Sequence, residues 1–202
     1  MVLALISGLL TGLSLIIAIG AQNAFVISQG LARSHVLLVV IFCSLSDALL
    51  IVLGAGGLGA LIKSVPSLIE YIRWFGVAYL LWFGSKTLFS AFENRSLALG
   101  SNKVVSKRKV IATLFAFTYL NPHVYLDTVI FLGSIANQFG SDKWLFAIGA
   151  VISSTCWFFA LGYGARAAST YMTQPIFWRV LDFVIAAIMF TAALLLALYK
   201  LD

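Results

Sequence analysis

The chain has 202 residues, of which 62% are hydrophobic and only 10% charged, with a mean hydropathy of +1.05 and a formal net charge of +6. Soluble domains are roughly half apolar and a quarter charged, so this balance excludes a water-soluble globular domain and defines a membrane protein.

A helix crosses a hydrocarbon core of about 30 Å in roughly 20 residues. Six apolar blocks have that length: Val2 to Ala21, Val36 to Ile62, Leu68 to Phe92, Val110 to Ile135, Trp144 to Ala165 and Ile176 to Tyr199. They predict an all-α integral membrane protein, a single domain over residues 1–202 with six transmembrane helices. No Lys or Arg precedes the first block, and it is longer than a signal-peptide core, so it reads as a retained span. Within it Gly8 and Gly12 form a small-xxx-small pair suited to close helix packing.

The second block carries Asp47, 11 residues beyond Val36 and thus about 16 Å into the helix. A carboxylate at that depth is costly and marks a functional candidate. The glycines Gly54, Gly56, Gly57 and Gly59 read as packing residues. In the third block only 12 uncharged residues separate Arg73 from Lys86. Lys86 can snorkel to an interface, which keeps the block as a span; a five-span protein with an interfacial third segment is the alternative.

The stretch from Glu93 to Lys109 predicts a basic cytoplasmic loop. With six spans, nine of the 13 Lys and Arg fall on the side of this loop and four on the other, so both termini are expected outside. The run KVVSKRK is read as a topology signal facing anionic lipid and not as a nucleic-acid patch. Cys43 and Cys156 lie in apolar blocks and read as packed thiols; no spacing suggests a metal site or a disulfide.

The fourth block contains LNPHVYLDT. Pro122 lacks an N–H, which frees the Thr118 carbonyl and bends or opens the helix. A freed carbonyl is tolerated only against protein or a water-filled cavity, so the segment is expected to face inward. His123 and Asp127 are about 40° apart around a helix and can touch, either as a functional or as a structural pair; Asn121 and Tyr125 make a second pair at the same spacing. Three spans per half would make the second half enter the membrane inverted. Sliding the chain by 98 residues places Asn23 on Asn121 and Val26 on Val124, which supports two inverted three-helix repeats.

IGAQNAFVISQG from Ile19 to Gly30, the Ser46–Asp47 pair and LNPHVYLDT from Leu120 to Thr128 resemble the lysine/arginine exporter family over nearly the whole chain. The resemblance implies a multi-pass protein of the bacterial cytoplasmic (inner) membrane. It implies export of L-lysine or L-arginine, driven by the proton gradient or the membrane potential. Many relatives have proline where this chain has Ala21, so the break in the first span is expected to rest on Gly20, Gln22 and Asn23, as the second rests on Pro122. A cationic amino acid needs acceptors for its positive groups, which suit Asp47 and Asp127, and donors for its carboxylate, which suit Gln22, Asn23 and Asn121, with Tyr125 beside them. His123 is placed to couple proton movement.

The expected partners are the cationic amino acid and the lipid bilayer, with homo-oligomerisation open. No P-loop, H-E-x-x-H or paired Cys and His occurs, so neither an enzyme nor a cofactor is expected. Export of other small amino-acid-like solutes, a channel or a structural membrane subunit are the alternatives.

Overall fold

The computed structural model describes residues 1–17, 20–58, 66–92, 106–121, 124–169 and 175–198, and every regular element among them is helical. In chain order these are α1 (Val2–Ile16), α2 (Ala21–Leu31), α3 (Val36–Ala55), α4 (Pro66–Phe92), α5 (Lys107–Tyr119), a π-helix (Tyr125–Leu132), α6 (Gly133–Gln138), a 3-10 turn (Gly140–Asp142), α7 (Lys143–Ala168) and α8 (Pro175–Leu198). By length and composition Val36–Ala55 and Gly140–Ala168 are apolar enough to cross a membrane. The pair α1 and α2, inclined at 79°, makes a third if it forms one crossing.

Three boundaries differ from the sequence reading. The first block does not stop at Ala21: it is two helices, and α2 runs on through Gln29 and Gly30, which read as loop but are buried. Their polarity faces the protein interior, so it does not mark a surface turn. The second block ends as a helix at Ala55, short of Ile62. Gly57, at φ +102, takes the left-handed conformation that ends helices and donates its N–H to the Gly54 carbonyl at 3.0 Å. The fourth block is broken into α5, the π-helix and α6. The third block is one helix through Arg73 and Lys86.

α1 and then α2 run alongside α7 in the same direction. At one end the N-terminal ammonium pairs with Asp142 Oδ2 at 2.6 Å, and at the other Arg33 Nε donates to Ser169 Oγ at 2.7 Å. Between these ends the helices touch backbone to backbone. A Cβ on Gly8 would lie 1.9 Å from the Phe146 carbonyl oxygen, and one on Gly149 2.2 Å from that of Leu5. Gly54 and Gly133 bring α3 against the π-helix and α6 in the same way. Small residues thus set the contacts that dispersion forces hold in lipid. α4 and α8 pack chiefly on one another.

The exterior is apolar. Leu45, Phe89, Phe131 and Leu194 are among many exposed large side chains, while Asp47, Ser154, Thr118 and Asp182 are buried. An apolar outside around polar groups is the inverse of a water-soluble protein and fits lipid as solvent.

Candidate functional site

Both predicted helix breaks are present, and each is bridged by a side chain from beyond it. α1 gives way after Ile16, and Asn23 of α2 reaches back to donate its Nδ2 to the Ile16 carbonyl at 2.8 Å. α5 ends at Tyr119, and the Tyr125 phenol donates to the Tyr119 carbonyl at 2.8 Å. Carbonyls at the end of a helix lack intrahelical partners, and in an apolar bundle they need such donors. Gly20 precedes α2 in an extended conformation, with no atom of the described residues within 4 Å of where its Cβ would be. The first break therefore depends more on Asn23 than on the glycine. The Asn121 carbonyl accepts the Val124 N–H at 3.1 Å. Pro122 and His123 lie outside the described residues.

The two breaks meet. Ala21, at the start of α2, and Leu120 and Asn121, just after α5, line one small cavity that Phe117 and Tyr79 also border.

Asp47 is buried at 7% exposure, and Ser154 Oγ of α7 donates to its Oδ2 at 2.6 Å. One turn earlier on α3 the Cys43 thiol lies beside the Gln22 side chain. Gln22 Nε2 is buried and has no hydrogen-bond partner among the described residues. A polar line thus runs from Gln22 of α2, past Asp47 of α3, to Ser154 of α7. Asp127 is not on it: it is exposed, in the first turn of the π-helix, while Val129 and Leu132 of that helix are buried. The two cysteines are free, and Cys156, expected to be packed, is exposed on α7. Among the described residues no group of three His, Cys, Asp or Glu side chains is placed to hold a metal ion.

A larger feature was missed in the sequence. An open cavity of about 560 Å³ lies between α2, α4, α5 and α8. Its walls include Gln29, Tyr79, Trp82, Phe83 and Asp182, with Lys86 and Lys109 also lining it. Asp182 is buried at 7% exposure, and Gln29 Oε1 is buried without a hydrogen-bond partner among the described residues. Phe83 and Phe117 stand edge to face at 4.8 Å, with Tyr79 5.5 Å and Phe25 5.8 Å from Phe117. These rings separate the large cavity from the small one at the helix breaks. Asp182 follows Arg179 by three residues near the start of an apolar block, the pattern of an interfacial charge pair, so only the packing reveals it as an interior acid.

A helical bundle with an apolar exterior, interrupted helices and acids held inside is an integral membrane protein with a polar interior. The chain belongs to the family described as LysE type translocator, whose profile matches residues 13–200. It is 41% identical over 196 residues to the arginine exporter protein ArgO of Pectobacterium carotovorum subsp. carotovorum, covering 95% of each chain. It is 38% identical over 214 residues to the lysine exporter LysE of Corynebacterium diphtheriae, covering 91% of this chain and 94% of that one. No solved structure matches the chain.

Proposed function

We propose that this protein is a secondary carrier that exports basic L-amino acids, arginine or lysine, across the bacterial cytoplasmic membrane, driven by the proton gradient or the membrane potential. Family membership and the two relatives named for arginine and lysine export support the substrate. The observation that carries the mechanism is that the two helix breaks lie together, with Ala21 and Asn121 lining one cavity of about 10 Å³, room for a single water molecule at most. Carriers built from inverted repeats bind substrate near the bilayer midplane, where discontinuous helices come together.

In this reading the chain makes six spans in two inverted halves: α1 with α2, α3 and α4, then α5 with the π-helix and α6, α7 and α8. The exchange of partners supports it. The broken helix of the first half packs on α7, that of the second packs on α3, and α4 packs on α8. The 93–109 loop faces the cytoplasm and both termini face outward.

Asp47 takes a positive group of the substrate, Gln22 its carboxylate, and Asp127 beside the second break serves as the other acid, with His123 as the proton-coupling group. Asn121 faces the cavity between the breaks, while Asn23 and Tyr125 hold the breaks open. The gradient drives the cycle, so the chain acts as no enzyme and needs no cofactor. Cells that lack the protein are expected to accumulate arginine or lysine when fed dipeptides containing them. Accumulation of neutral amino acids alone would rule out the cationic substrate.

A further inference from the structure

We propose that the open cavity between α2, α4, α5 and α8 is a second substrate site, a loading site for the cationic side chain of the exported amino acid, with Asp182 as its counter-charge. The inference rests on the exporter reading and adds to it a place whose lining, among the described residues, does not include Asp47.

Four observations carry it. The volume, about 560 Å³, falls within the roughly 300–1,000 Å³ of small-molecule sites. Asp182 brings a buried carboxylate to the wall, and Gln29 adds a buried amide oxygen that no described residue satisfies. A guanidinium or ammonium, which only donates, satisfies the Gln29 oxygen and carries the charge opposite to that of Asp182. Tyr79, Trp82 and Phe83 add aromatic faces that attract cations. The Lys86 ammonium already stands 5.2 Å from the Trp82 ring centroid, so that face accepts a cation. Lys86 is exposed and Lys109 lies in the first turn of α5, where the end of the bundle that carries the basic loop begins. The cavity therefore has acceptors in its buried wall and donors at its edge. That polarity matches a basic amino acid that enters side chain first and leaves its carboxylate to the lysines.

The test is equilibrium binding to the purified full-length protein, with labelled arginine displaced by arginine or by citrulline, which replaces the guanidinium with a neutral ureido group. Wild type is expected to prefer arginine. Asp182→Asn should weaken arginine binding by roughly 10-fold to 150-fold and leave citrulline unchanged, while Asp182→Glu keeps most of the preference. Trp82→Leu, on an exposed side chain, should lower the preference by about 2-fold to 5-fold. Repeated in an Asp47→Asn background, where the site at Asp47 no longer contributes, Asp182→Asn should produce the same loss. A wild-type preference in Asp182→Asn overturns the site; if that variant does not fold, an unchanged preference in Trp82→Leu overturns it instead. Either result beside normal arginine counterflow by wild type leaves the exporter reading standing. Absence of arginine counterflow in wild type overturns the exporter reading and this site with it.

Discussion

The Asn23 side-chain amide donates to the Ile16 carbonyl at 2.8 Å, so a residue of α2 satisfies the end of α1 across the first break. Tyr125 does the same for Tyr119 in the second half, at the same distance. Removing the first bridge leaves a carbonyl without its donor inside the bundle, at a cost of about 1–3 kcal/mol. Asn23→Ala should therefore unfold more readily in detergent than wild type. Tyr125→Phe, at a half-buried site, should lose about 0.5–1.5 kcal/mol. Thermal unfolding of the purified variants measures both, and wild-type stability in Asn23→Ala would show that the bridge does not hold the break.

How much of this was legible in the sequence depends on the kind of signal. Gly8 and Gly12 carry the spacing of a close helix contact, and that is what they make with α7. Gly57 was read as packing but ends α3, because a glycine that packs and one that turns look alike until φ is known. Pro122 announces the second break, whereas the first has no proline: it falls between Ile16 and Ala21, with the expected Gly20 just before α2, and nothing in the order of residues shows that Asn23 bridges it. The π-helix at Tyr125–Leu132 leaves no mark in the order of residues. Asp182 and Gln29 were lost for one reason, since a buried polar residue near the end of an apolar block has the same pattern as an interfacial one.

Two glycines give opposite expectations. A Cβ at Gly8 meets the Phe146 carbonyl oxygen at 1.9 Å, and backbone must move to admit it, while Gly20 has open space and an extended backbone that any residue adopts. Gly8→Ala should cost about 1–3 kcal/mol or more and lower membrane abundance. Gly20→Ala should be close to neutral. Quantitative blotting of membranes checks the pair, and equal abundance of the two variants would contradict the packing of α1 on α7.

Asp47 and its partner separate charge from fold. Asparagine keeps the shape and an oxygen for Ser154, and it enters the bilayer more easily than a carboxylate that disfavours insertion by roughly 2.5 to 3.5 kcal/mol. Asp47→Asn should reach the membrane at normal levels while arginine flux per molecule falls roughly 10-fold to 150-fold. Ser154→Ala should instead lower stability by about 1–3 kcal/mol, since it removes the donor of the 2.6 Å bond. Wild-type flux per molecule in Asp47→Asn would remove that residue from the site.

The proposed topology puts the basic loop in the cytoplasm. Lys107, Arg108 and Lys109 occupy the first turn of α5, where the helix dipole disfavours positive charge, so their role is better sought at the membrane surface than in helix stability. A cysteine at Ser101, with exposed Cys156 replaced by Ser, should stay unmodified when an impermeant thiol reagent is added to intact cells. Labelling there would reverse the topology.

Counterflow in proteoliposomes tests the central claim most directly. Vesicles that hold the purified protein and are loaded with unlabelled arginine or lysine should take up labelled arginine transiently above equilibrium, with a rate that saturates as the external concentration rises. Labelled arginine that enters without overshoot and in proportion to its concentration, or does not enter at all, would contradict a carrier of basic amino acids.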